Sequence, residues 1–202
     1  MAREFAIRNP DQLLENMVLM RDILAEKNIR CFLHYGTLLG AIREKGFIPH
    51  DDDADVGVFG DDFDSVIGLL PVFLENGFVF NSQRNGRLLQ FVRKGEQVDI
   101  FFAYERFTLA GRKWAIDERA TIAPGYLDRL GTIDFLGHQF LIPSNPEGLM
   151  RNLYGKTWRI PLKDIPSRTN WTWKLLKVLR NPGKIMKYVT RFLRMQKRKT
   201  SV

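Results

Sequence analysis

"HYGTLLGAIREKGFIPHDDDADVGVF", residues 34–59, decides how this chain is read. Asp51, Asp52, Asp53 and Asp55 crowd carboxylates immediately ahead of the strand formers Val56, Val58 and Phe59. Two carboxylates about 5 Å apart repel by about 3 kcal/mol at an effective dielectric of about 20. Either a cation offsets that repulsion or the cluster is a solvated turn, since Asp is common before strands; at this point both readings are open. Residues two apart on a strand share a face, so Asp51, Asp53 and Asp55 are expected to project together while Ala54 and Val56 face a core. Such a row of hard oxygen ligands suits Mg²⁺ or Mn²⁺.

A further carboxylate stands in "QVDIFFAY" (97–104), where Asp99 is flanked by Val98, Ile100, Phe101 and Phe102. An Asp in so apolar a run is costly unless it is paired, metal-bound or turned to water on an edge strand. If the two strands lie side by side, Asp53, Asp55 and Asp99 form one pocket able to hold a divalent ion and leave positions for phosphate oxygens. Upstream, Gly36 and Thr37 fall between a strand and a short helix. Backbone N–H groups there favour an anion such as phosphate, with Arg43 one turn further as a second contact. The glycine spacing is neither a Walker loop nor a dinucleotide fingerprint.

Outward from these motifs the chain reads as a helix from Asn9, with Pro10 in its first turn and Leu13, Leu14, Met17, Met20, Ile23 and Leu24 on one face, stopping near Asn28. A strand is predicted over 29–35, a short helix over 37–44, a strand over 53–59, and a helix over 62–76 kinked at Pro71. "GFVF", "RLLQFVRK" and "QVDIFFAY" predict successive strands, with "NSQRNG" and "KGE" as turns. Hairpins are expected around "FTLAGRKW" and "TIDFLGHQFLIP", and a short helix over "NPEGLMRNLYG" ending at Gly155. Helices mixed with hairpin strands favour an α+β class.

The chain has 202 residues, 45% of them hydrophobic, enough for one cored domain, 1–165, followed by a tail, 166–202. Cys31 is the only cysteine, so a reducing compartment is expected. The opening "MAREFAIRNP" lacks the apolar stretch of a signal peptide, which with the absence of a long apolar run makes a cytoplasmic location the expectation. The net charge of +8 is local. Trp171–Val202 carries ten Lys or Arg and no acid; taking those ten from the total of 31 leaves 21 basic against 23 acidic residues. The body therefore offers no case for nucleic-acid binding. Lys174, Lys177, Lys184, Lys187, Arg191 and Arg194 stand against Leu175, Leu176, Leu179, Ile185, Val189 and Phe192, predicting basic amphipathic helices. They suit an anionic membrane surface on the inner face of the plasma membrane, or a docked helix pair with a solvated basic side.

"HYGTLLGAIREKGFIPHDDDADVGV" (34–58) resembles the signature of the LicD/fukutin family, within the nucleotidyltransferase-fold superfamily, and "IPSNPEGLMRNLYGKTWRIP" (142–161) is similar to that family's closing motif. The resemblance implies a nucleotidyltransferase-like fold, a mixed β-sheet flanked by helices. It implies that Gly36 and Thr37 form the turn before the Asp-x-Asp pair, Asp53 and Asp55, and that Asp99 is the third carboxylate. It also implies transfer of phosphocholine, or ribitol phosphate, from a CDP-linked donor to a glycan or a lipid-linked precursor, releasing CMP, with a divalent metal, Mg²⁺ or Mn²⁺. His50 stands where the family commonly has Trp, beside the donor site. Asp51 and Asp52 are supporting candidates, and Tyr154, Trp158 and Arg159 are candidates for substrate contact or for packing.

His34, His50 and His138 have no zinc spacing, and His34 reads as a core histidine. Two rival functions use the same residues differently. One is a nucleotidyltransferase placing NMP on a small molecule and releasing pyrophosphate; the other is a non-catalytic membrane or polyanion binder acting through its tail.

Overall fold

A computed structural model of the chain describes residues 7–116 and 121–161. The basic helices expected in the tail lie outside the described residues. Helix α1 spans Pro10–Ala25; the Asn9 side chain caps it by accepting from the Gln12 N–H at 3.1 Å, with Pro10 in the first turn. Its predicted face is buried: Leu13, Met17, Met20 and Leu24 are essentially inaccessible. The helix ends at Ala25, and Asn28, with φ +57°, turns the chain in the left-handed conformation that Asn tolerates.

The strand predicted over 29–35 shrinks to β1, Phe32–Leu33. Tyr35 already opens helix α2, Tyr35–Arg43, with φ +34°, so the chain swings out of the sheet two residues earlier than alternation suggests. Strand β2 then covers Asp53–Phe59, as predicted. The helix expected over 62–76 is split into α3, Phe63–Gly68, and α4, Leu70–Glu75. The break falls at Leu69 because Pro71 lacks an N–H and disfavours helical backbone just before it.

Strands β3 (Val79–Arg84), β4 (Leu88–Arg93) and β5 (Glu96–Thr108) follow. β3 runs through most of "NSQRNG", leaving residues 85–87 as the turn. Asn85 and Gly86 both have positive φ, +51° and +64°, and the Arg87 N–H closes the turn on the Arg84 carbonyl at 2.9 Å before Leu88 pairs with Arg84. β5 outlasts the main sheet; its far end pairs with β6 (Gly111–Ala115), which in turn pairs with β7 (Thr121–Ile122), a strand not predicted. The predicted closing hairpin is β8 (Leu130–Phe135) and β9 (His138–Pro143), followed by helix α5, Pro146–Tyr154, capped by the Asn145 side chain and ended at Gly155.

The main sheet has the order β3-β4-β5-β2-β1-β9-β8. β2 with β5 and β1 with β9 are parallel, and the other neighbours in that order are antiparallel, so the sheet is mixed. The centre of one of its faces is apolar: Ala54, Val56 and Val58 on β2, Val98, Ile100 and Phe102 on β5, and Leu89 and Phe91 on β4 are all buried. Phe73 from α4 packs on Phe91 with ring centroids 5.0 Å apart and on Phe78 at 5.7 Å. Each such pair adds about 0.5–1.5 kcal/mol beyond burial alone. Period-2 alternation therefore sends Asp53, Asp55, Gln97 and Asp99 to the opposite face. Among the described residues, no helix is long and apolar enough to cross a membrane.

Two polar contacts fix the β4–β5 turn against α1 and its cap. The Asn9 N–H donates to the buried Glu96 at 3.0 Å, and the fully buried Asn16 amide donates to the Arg93 carbonyl at 2.8 Å while accepting from Arg93. Asn16→Ala is expected to destabilise the fold by about 1–3 kcal/mol, because it leaves buried partners unsatisfied. Chemical denaturation with an unchanged m-value would check this.

Candidate active site

The parallel register of β2 and β5 sets Asp55 directly beside Asp99 and Asp53 beside Gln97. One carboxylate oxygen from each of Asp53, Asp55 and Asp99 lies within 4.8 Å of the other two. Asp55 and Asp99 are buried, Asp53 half-buried. Asp51, Asp52 and Asp53 form an overlapping second group, although Asp51 and Asp52 precede the strand.

A row of side chains crosses the sheet at this level. Gln90 on β4 stands opposite Asp99 and donates to its Oδ2 at 2.8 Å, while the Ser82 hydroxyl on β3 donates to Gln90 Oε1. Gln97 donates to Asp99 Oδ1 at 2.9 Å and reaches Asp53 Oδ2 at 3.4 Å. Both oxygens of Asp99 are thus oriented by amides. The sequence reading missed Ser82, Gln90 and Gln97. The signal for two of them was present: Gln90 interrupts an apolar strand, and Gln97 precedes Asp99 by two, on the same face.

Gly36 and Thr37 have an occupation other than the predicted phosphate cradle. The Gly36 N–H donates to Asp55 Oδ2 at 2.9 Å, and Thr37 Oγ1 accepts the Asp55 N–H at 2.8 Å. The N-terminus of α2 therefore holds the second Asp of the pair. A Cβ at position 36 would stand 2.2 Å from Asp51 Oδ2, so a larger residue there would push the Asp51 carboxylate aside. One turn on, a Cβ at Gly40 would stand 2.4 Å from the Gly46 carbonyl. The close approach that "GTLLG" permits is made by the chain's own 46–51 loop.

Arg43 departs from its expected role: its Nε donates to Glu44 at 2.6 Å and its NH1 to the Trp158 carbonyl at 3.0 Å. It ties α2 to the closing motif. His50 is exposed on the turn entering Asp51. Trp158 is buried, with the Arg159 guanidinium 4.4 Å from its ring, and Arg159 pairs with Glu147. His34 is buried among the rings of Phe32, Tyr35 and Phe101, in keeping with the core reading.

Among the described residues no Lys or Arg forms an ion pair with Asp51, Asp53, Asp55 or Asp99. Burial is the largest cause of the upward shift of all four. It lifts Asp51 to about 6 with help from Asp52, and Asp53 to about 7 with help from Asp99, Asp51 and Asp52. Asp99 rises to about 6 despite the Gln90 and Gln97 hydrogen bonds that favour its charged form. Asp55 rises well above the carboxylate range, with Asp53 adding to burial and the Gly36 N–H opposing. The Tyr154 hydroxyl is also pushed up, by burial first and then by Asp55 and Asp51, so α5 brings the closing motif within the field of the cluster. A converging set of hard oxygen donors with no ion-paired Lys or Arg among the described residues, Arg84 acting on Asp99 without forming an ion pair, fits a divalent ion of the Mg²⁺ or Mn²⁺ type.

The fold and the paired strand carboxylates define a nucleotidyltransferase-like α+β protein. Residues 28–145 match the family model described as LicD/FKTN/FKRP, nucleotidyltransferase domain, and the chain belongs to that family. The mouse ribitol-5-phosphate transferase FKTN is 29% identical over 168 residues, covering 79% of this chain and 34% of that protein. An uncharacterized protein of Rickettsia prowazekii is 39% identical over 90 residues, covering 43% of this chain and 32% of its own. The chain thus spans about a third of the length of these relatives. The solution structure of the antibiotic-resistance factor ANT(2'')-Ia superposes with a TM-score of 0.52 at 12% identity, over 96% of this chain and all of that one, a likeness of fold.

Raised carboxylate pKa values mean that the native state holds protons which the unfolded chain has already released. That contribution to stability is full below the ordinary Asp value and is lost as pH rises through about 6–7. In chelator, the melting temperature should therefore fall between about pH 4 and about pH 7, and Asp53→Asn should flatten the fall. An identical profile in that variant would contradict the assignment.

Proposed function

We propose that this chain transfers a phospho-alcohol group from a CDP-linked donor to a hydroxyl of a glycan or lipid-linked glycan, releasing CMP. The observation that supports this reading is the convergence of Asp53, Asp55 and Asp99 in a domain of the LicD/FKTN/FKRP family. Phosphocholine is the first head group to test. Ribitol phosphate is the second, because FKTN is a ribitol-5-phosphate transferase.

In this reading Asp53, Asp55 and Asp99 hold Mg²⁺ or Mn²⁺. When bound, the ion neutralises phosphate charge and favours in-line displacement at phosphorus. The chain's own groups do the rest by positioning. The Gly36 N–H and Thr37 hydroxyl orient Asp55, and Gln90 and Gln97 orient Asp99. Asp99, held on the neighbouring strand beside Asp55, is the candidate to take the proton of an attacking hydroxyl. Preorganisation of this kind lowers the barrier without reorganisation during the reaction. Residues 171–202 are a candidate contact to an anionic membrane surface, which would bring a lipid-linked acceptor near.

³¹P NMR of the full chain with Mg²⁺ and a panel of CDP-linked alcohols tests the proposal. CMP and a phosphodiester product are expected, and Asp53→Asn should reduce turnover by on the order of 10²–10³. Pyrophosphate as product, from a nucleoside triphosphate, would replace this reading with NMP transfer. As a readout independent of turnover, Mg²⁺ should raise the melting temperature of chelator-treated protein near neutral pH and leave Asp99→Asn unmoved.

A further inference from the structure

The hairpin formed by the far end of β5 and β6 is used by nothing described so far. Residues 105–111 are all exposed; Leu109 at the turn is fully so, and Phe107 is 77% exposed. Apolar side chains at a loop tip ordinarily give way to polar ones. A second observation lies one residue back from Phe107, on the opposite face. Arg106 and Lys113 stand directly across from each other in the β5–β6 ladder, and neither forms an ion pair among the described residues. Like charges directly opposite destabilise an antiparallel pair. The contrast within the hairpin is informative, since Arg112 on the Phe107 face is held by Glu105 and by Asp128 at 2.6 Å.

We propose that this hairpin docks on an anionic lipid surface, with Leu109 and Phe107 entering the interfacial zone and Arg106 and Lys113 meeting lipid phosphates. An apolar tip behind which stand two cations with no ion pair among the described residues matches the layering of such a surface, hydrocarbon beneath a negative headgroup plane. A protein partner suits the feature less well. A stable interface needs on the order of 1,200 Å² of buried surface, and two apolar side chains on a convex turn supply a small part of it. The inference is independent of the catalytic reading and uses none of its residues.

The test uses the full chain, because its tail is itself a candidate membrane contact. A nitroxide at Leu109→Cys reports immersion directly, and Cys31 is buried and out of reach of the reagent. On vesicles of mixed phosphatidylglycerol and phosphatidylcholine, the label should become accessible to oxygen and shielded from a water-soluble nickel relaxant. A label at the exposed Asn81→Cys should stay in water. Arg106→Gln with Lys113→Gln should weaken partitioning by about 30-fold. A label at 109 that stays in water overturns the proposal, whether the chain is held by another segment, by a protein, or not at all. So does partitioning that is unchanged in the double variant.

Discussion

The in-register parallel pairing of β2 with β5 forces Asp55 and Asp99 to stand abreast, and much of the surrounding structure accommodates that placement. Neither acid is at a surface where water could separate the charges. The fold meets the strain in layers. The N-terminus of α2 gives Asp55 a backbone N–H, two glutamine amides hold Asp99, and protons remain on the cluster into the neutral range. What it does not supply, among the described residues, is a positive side chain in contact.

The sheet that carries the cluster is held by independent means. The centre of its other face is an apolar layer, so the carboxylate face need contribute little to stability and is free to be polar. Asn16 and Glu96 pin α1 to the start of β5, just upstream of Gln97 and Asp99. Arg43 links α2 to the closing motif through the Trp158 carbonyl, so segments far apart in sequence meet at one edge of the site. Family membership fits this division, since the matched span 28–145 contains the three carboxylates and both glutamines.

Much of the architecture was legible in local pattern. The α1 face, the Asp53–Phe59 strand, the β4–β5 pair and the closing hairpin all follow from apolar periodicity and turn residues, which report on a few neighbouring positions at a time. What was illegible depends on distant partners. Residues 29–35 have strand composition throughout, yet only Phe32 and Leu33 pair, because Tyr35 must turn so that Gly36 can face Asp55. Gly36 and Thr37 read as a cradle for phosphate, and in the fold they bond the chain's own Asp55; spacing alone cannot tell which group approaches. Gln90 and Gln97 were passed over because an amide in an apolar strand marks a polar position without naming its partner until the cross-strand neighbour is known.

β5 has one more property, which comes from its length. Asp99 near its beginning and Thr108 at its end are joined by an unbroken strand, at about 3.3 Å per residue a span of at most about 30 Å. The strand is therefore a ruler. On the proposed docking, the length of β5 sets the greatest height at which the acids could stand above the surface, and on the proposed transfer a tethered acceptor would have to reach across that gap.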